Sequence, residues 1–285
     1  MNINDPSSEK SMNQNVAVGI IIFQPNDSVL QRIREAILGG YRLFIFDNSP
    51  DHTLVRDFIR NEADESQVTY LTCGKNVGLG FGLSMICAQA YYESFPTLLF
   101  FDQDTVYTRK TLEYISDFYS KNIGLSDQYS SITFNSKAID AYNPSTPPVK
   151  DVLLVINSGS LYYLDNLKKM NWHNTKYFVD CVDFSFCLSS SIHRFKLGEH
   201  SATPDFDHLS EQGDTNYKIF GIVLPIRAYR FSRIWDSYTA SIKLIFHAIV
   251  TGKFKYAGLF FSYINKYLFV QFYIRFAKLF HLKNA

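Results

Sequence analysis

Three segments of this 285-residue chain carry residues whose type and spacing can do chemistry. The first is Leu98-Leu99-Phe100-Phe101-Asp102-Gln103-Asp104-Thr105, an apolar run that ends in two carboxylates one residue apart. The run reads as a strand buried on both faces. Carboxylates at the carboxyl end of a central strand stand where open α/β sheets bind their ligands. In an extended segment Asp102 and Asp104 would point the same way. Side by side they repel unless a cation offsets them. Hard oxygen donors suit Mg²⁺ or Mn²⁺, ions that commonly hold a phosphate. A solvated acidic turn is the plainer alternative.

The second segment is Asp180-Cys181-Val182-Asp183 at the start of an expected helix, with Asp180 one turn before Asp183 and on the same face. Asp183 can act as a general base, or both carboxylates can simply stabilise a helix N-terminus. The third is Asp205-Phe206-Asp207-His208-Leu209. There His208 could complete a cation's ligand shell, or be a structural histidine. Two further features belong with these. The loop Gly74-Lys75-Asn76-Val77-Gly78-Leu79-Gly80-Phe81-Gly82 can bring backbone N–H groups to an anion at a helix N-terminus, or merely cap that helix. Asp47, in Asp47-Asn48-Ser49-Pro50, can accept from a ribose or base, or hold its own turn.

The elements that must position these groups alternate. Val16–Phe23 and Tyr41–Phe46 read as strands, as do Val68–Leu71 and Thr97–Phe101. Helices fall between them: Asp27, as N-cap, through Leu38; Thr53–Asn61; and from the Gly-rich loop through Ser94. This pattern predicts an α/β, mostly parallel, Rossmann-like sheet covered by helices on both faces. Asn122–Lys150, rich in Ser and Pro, reads as an irregular surface connection, and Val152–Ile156 as a strand before Asn157-Ser158-Gly159-Ser160.

Net charge near +1 hides an asymmetry. From Ser237 to Ala285 there is no Asp or Glu and the charge is +7, which leaves −6 on the rest. Aromatic rings crowd the same tail, and Lys266 and Arg275 interrupt any run of the roughly 18 apolar residues that a spanning helix needs. A basic, aromatic, amphipathic extension suits the interface of an anionic membrane. A helical subdomain packed on the core, or a homo-oligomer contact, is the alternative. The acidic body argues against nucleic acid as a partner. Four cysteines without paired spacing, and no secretory signal, fit a reducing cytosol.

The ordered set of motifs resembles family 2 glycosyltransferases of the GT-A fold, in the bacterial branch of rhamnosyltransferases and galactofuranosyltransferases. The matching stretches are VAVGIIIF, FDNSP, KNVGLGFGLSMICAQA, FFDQDT, NSGSLYYL, FVDCVDFSFCL and DHLSEQG, in that order. Ser185 and the Ser189-Ser190-Ser191 run stand where the branch usually carries Glu and Arg after the base.

The resemblance covers a GT-A domain over 16–235; the polar composition of 1–15 predicts a disordered N-terminus, and the basic aromatic composition of 236–285 a membrane-associating helical extension. The resemblance implies inverting, metal-dependent transfer from dTDP-rhamnose, or alternatively from UDP-galactofuranose, to a polyprenyl-diphosphate-linked glycan. The setting would be the cytoplasmic face of the bacterial membrane, in O-antigen or capsule synthesis. In these terms Asp183 is the base, and Asp47, Asn76, Gly78, Asp102 and Gln103 hold the nucleotide-sugar. Asp104 and His208 hold Mg²⁺ or Mn²⁺, with Asp180, Ser158 and Gly159 on the acceptor side. An idle nucleotide-sugar-binding scaffold is the rival outside the enzyme class.

Overall fold

A computed structural model describes residues 13–64, 66–137, 149–208, 215–219 and 222–279. The chain runs β1 (Asn13–Ile22), α1 (Asp27–Leu38), β2 (Tyr41–Asp47), α2 (Thr53–Glu62), β3 (Val68–Thr72), α3 (Leu79–Tyr92), β4 (Thr97–Asp102), β5 (Thr105–Val106) and α4 (Arg109–Lys121). It continues with β6 (Tyr129–Phe134), β7 (Lys150–Val152), β8 (Ser160–Tyr163), α5 (Leu164–Lys169), α6 (Val182–Ile192) and β9 (Lys196–His200). The last elements are β10 (Asp207–His208), β11 (Thr215–Ile219), β12 (Ile222–Ile226), α7 (Phe231–Val250) and α8 (Phe254–Leu279).

Eight strands form the main sheet in the order β3-β2-β1-β4-β8-β6-β9-β7. Only β8 and β7 oppose the common direction. This is the expected α/β, mostly parallel sheet, with helices after it. The chain moves outward from β1 through β2 to β3, then returns to place β4 on the other side of β1. That reversal is a topological switch point, and ligands bind outside the strands' carboxyl ends there. The register puts Asp47 beside Ile22 and Asp102 beside Ile21, at that edge.

Alternation along the strands sorts the core into two layers. Val18, Ile20, Leu99 and Phe101 face the layer beneath α1, α2 and α4. Ala17, Ile21, Leu98 and Phe100 face the other layer, with Leu83 of α3, Phe186 of α6, Leu244 of α7 and Phe260 of α8. By the same alternation Asp102 points toward α3, α6 and the C-terminal helices.

Several expectations need correcting. The N-cap of α1 is Asn26, whose side chain accepts from the N–H groups of Ser28 and Val29, and Asp27 is already helical. β1 begins at Asn13, inside the terminal stretch 1–15. Asn122–Lys150 is not a surface connection throughout, because β6 is a fully buried central strand. Residues 138–148, in the rest of that stretch, lie outside the described residues. No strand spans Val152–Ile156: β7 ends at Val152, and β8 begins only at Ser160. The boundary expected at 235 falls inside α7, since Ile234, Leu244 and Ala248 of that one helix are all buried. Among the described residues no helix is long and apolar enough to cross a membrane.

Candidate active site

Asp102 ends β4, and its backbone N–H donates to Ser158 Oγ (2.9 Å). Gln103 and Asp104 then form a turn, so the two aspartates do not share one extended segment as expected. The turn is imposed by its exits. Thr105 Oγ1 lies 2.6 Å from the same Ser158 hydroxyl, and β5 returns to pair antiparallel with β10. Gln103 is tied inward, its Oε1 accepting from Phe23 N–H (2.7 Å) and its carbonyl from Arg32. The backbone of His208 pairs with Thr105, which brings it beside Asp104. The His208 side chain and Leu209 lie outside the described residues.

Asp183 opens α6 and approaches from the other side. Its Oδ1 accepts from Asn157 N–H (2.9 Å). The 157–160 segment therefore fixes both residues, Asn157 N–H at the Asp183 carboxylate and Ser158 Oγ at the Asp102 backbone. It is itself stapled down: Gly159 N–H donates to Phe100 O (2.8 Å), and Tyr162 Oη donates to Asn157 Oδ1 (2.7 Å). Gly159 has φ +74°, and a Cβ there would meet Phe206 at 2.6 Å. Ser158 and Gly159, expected on the acceptor side, are buried behind the carboxylates.

Asp102 and Asp183 line one cavity, and Asp104 follows Asp102 by two residues. Burial, reinforced by the negative charges of Asp183 and Asp104, pushes Asp102 up to about 8. Burial pushes Asp183 up to about 6, against the lowering effect of the Asn157 N–H. None of the three makes an ion pair among the described residues. Two carboxyl groups with no ion-pair partner among the described residues, and an imidazole-bearing residue on the adjoining strand, suit a hard divalent cation by donor chemistry. Asp102, Asp104 and His208 would be its holders. Among the described residues no cluster of three or more metal-ligating side chains is formed.

Asp180 departs from its expected place. Cys181, at φ 66°, breaks the chain before α6, so Asp180 is not on that helix. Its carboxylate instead accepts from Ser237 Oγ (2.6 Å) and pairs with Arg233 (3.5 Å), both on α7. Asp180 and Asp183 nevertheless line one cavity of about 270 Å³, together with Asp102, Leu79 and Phe184. Its remaining wall comes from the C-terminal helices: Ser237 and Ser241 of α7, Tyr263 and Tyr267 of α8. Sequence reasoning missed these four. The i,i+4 pair Tyr263/Tyr267 was the signal available, because it places two rings on one helix face.

The Gly-rich loop borders this cavity through Leu79, but its glycines have a local use. A Cβ on Gly78 (φ +92°) would lie 2.6 Å from Phe178 O, and one on Gly80 2.6 Å from Tyr177 O. Leu79 N–H donates to Phe178 O, so part of the α3 N-terminus is already capped by chain. Asn76 Oδ1 accepts from Gly78 N–H (3.0 Å), and Asn48 Oδ1 from Val77 N–H (3.0 Å). Asp47 is fully buried, with Oδ1 accepting from Ser49 N–H (2.8 Å) and Oδ2 from Tyr70 Oη (2.6 Å). It holds the turn that carries Asn48 to the loop.

No family model and no curated protein matches the chain. Among solved structures it is similar to residues 1–349 of S. aureus TarS, at 14% identity and a TM-score of 0.49. That likeness covers 81% of this chain and 64% of the TarS chain. It is also similar to a protein from Desulfovibrio desulfuricans G20 assigned as a nucleotide-diphospho-sugar transferase. There the identity is 9%, the coverage 65% of this chain and 79% of that one, and the TM-score 0.40.

Proposed function

We propose that the chain is an inverting, metal-dependent glycosyltransferase that takes a nucleotide-activated sugar as donor. One observation carries the reading: Asp183 and Asp102 line the same small cavity at the switch point, with Asp104 in the turn that follows Asp102. Asp183 Oδ1 is held by the Asn157 N–H, which leaves Oδ2 to take the acceptor's proton. As that O–H bond breaks, the acceptor oxygen forms its bond to the anomeric carbon from the face opposite the leaving group. The anomeric C–O bond breaks with its electron pair, and the nucleoside diphosphate departs. A base already held up near 6 is matched to proton transfer near neutral pH. A divalent cation at Asp102, Asp104 and His208 would supply Lewis-acid stabilisation of charge on the leaving diphosphate.

The donor reading is dTDP-rhamnose, from the FDQDT and NSGS forms, with UDP-galactofuranose as the runner-up. The acceptor reading is a polyprenyl-diphosphate-linked glycan at a membrane surface. It is supported by Phe246, Phe254, Phe261, Phe269, Phe272 and Phe276, each more than half exposed on α7 and α8 without a carboxylate among them. Calorimetry of dTDP-rhamnose and UDP-galactofuranose, with Mn²⁺ and with chelator, tests the donor side. Metal-dependent binding of one and not the other is expected. Binding of neither, with acceptor present, would overturn the assignment.

A further inference from the structure

A second, larger cavity adjoins the carboxylate cleft. It is a groove of about 810 Å³ between residues 174–180 and α7. Val179 and Asp180 line both cavities, so the groove leads outward from Asp183. Its composition is two-sided. Phe178 and Val179, exposed at 54% and 42%, are apolar, whereas Lys176, Arg233 and Lys243 are cationic. Of the two carboxylates in its lining, Asp180 is taken up by Ser237 and Arg233, which leaves Asp236. Lys176 and Lys243 make no ion pair among the described residues.

The helix periodicity of α7 adds a third feature. Asp236, Ala240, Lys243 and His247 line the groove, while Trp235, Ile242, Phe246 and Val250 are exposed along the neighbouring stripe. Moving outward from Asp183 therefore crosses polar cleft, cationic groove and apolar surface in turn. Exposed apolar patches beside a cleft mark a binding surface, and Lys ammonium groups are point-charge binders of phosphate.

We infer that this groove is the acceptor channel and takes an amphiphile whose phosphate lies against Lys176 and Lys243. The apolar chain next to that phosphate lies along the outer stripe of α7, and the terminal sugar hydroxyl reaches Asp183. The inference rests on the transferase reading for Asp183 and its polyprenyl-diphosphate-linked acceptor, and goes beyond them in assigning the channel and the two lysines.

Calorimetry with farnesyl diphosphate, inorganic diphosphate and farnesol tests it, with the donor site first saturated by dTDP or UDP and Mn²⁺. Farnesyl diphosphate should bind the nucleotide-loaded protein. The Lys176→Ala/Lys243→Ala double variant should weaken it at least about ten-fold, and Lys176→Arg/Lys243→Arg should retain it, with nucleotide affinity unchanged in both. Inorganic diphosphate should bind more weakly with the same lysine dependence, and farnesol should be indifferent to the lysines. Four results would overturn the channel: no binding of farnesyl diphosphate, equal affinity in the Ala variant, displacement by nucleotide, or inorganic diphosphate binding as tightly as the farnesyl form. Failure of dTDP and UDP to bind would strike the transferase reading instead. Farnesyl diphosphate is then titrated alone, and the lysine variants still decide the channel.

Discussion

Asp183 and Asp102 are opposed carboxyls held at different protonation levels, and their substitutions should separate. Asp183→Asn keeps the shape and the Asn157 bond while removing the proton acceptor. Transfer should fall by about 10³-fold or more with donor affinity nearly unchanged. A parallel loss of donor binding would move Asp183 to the donor side. Because burial holds Asp183 near 6, the base form appears as pH rises through that value. kcat/KM should therefore rise through about pH 6, and a flat profile there would place the base elsewhere. Stability should run the other way. Asp102 titrates near 8 when folded, against the ordinary carboxylate range when unfolded. The folded chain then retains a proton the unfolded chain gives up, so in chelator the Tm should fall as pH rises from about 4 to about 8. Asp102→Asn should flatten that slope. Asp104→Ala should weaken Mn²⁺-dependent nucleotide binding, and unchanged metal dependence would remove Asp104 from the cation's holders.

At the scale of elements, legibility followed how each segment satisfies its polar groups. β1, β2 and β4 were readable because their residues are apolar on both faces. β6 was not, because Ser130, Ser131 and Thr133 disguise a buried strand as a loop. Two of those hydroxyls find partners inside the core: Ser130 meets Ser190 (2.8 Å) and Thr133 meets Ser160 (2.6 Å). Asp180 was misplaced because a left-handed residue at Cys181 has no signature in a cysteine. Asp102, Asp183 and the Gly-rich loop were all legible as special, but the reason for the glycines was not. Gly78→Ala would force a Cβ into Phe178 O at a positive φ. It should cost about 1–3 kcal/mol of stability in denaturant melts. A neutral outcome would mean the 174–178 segment yields freely.

At the scale of the whole molecule the C-terminal hairpin is part of the body. Phe260 and Leu244 are essentially inaccessible in the core, and Lys253 Nζ donates to Ser191 O (2.6 Å). Gln271 closes the far end, donating to Arg227 O (2.8 Å) and accepting from Tyr229 N–H (3.1 Å). Burying a side chain the size of Phe260 contributes roughly 1.5–3 kcal/mol, and several such contacts are shared. Truncation after Trp235 should therefore unfold or broadly loosen the chain, read as loss of a cooperative thermal transition. A truncated form that melts sharply at the parent Tm would show a separable tail. The sequence offered this docking only as the alternative to a membrane-facing tail, because the choice depends on which side of each helix meets the sheet.

The cavity wall has a consequence for how such a protein can diversify. The acids of the cavity are all in place by residue 183, whereas Ser237, Ser241, Tyr263 and Tyr267 come from the hairpin that follows. The two parts of the cavity wall thus lie on separate pieces of chain, joined through core contacts of Leu244, Ala248 and Phe260. On the transferase reading proposed above, chimeras that exchange α7 and α8 while preserving Leu244, Ala248 and Phe260 should change the acceptor taken and leave the donor in place.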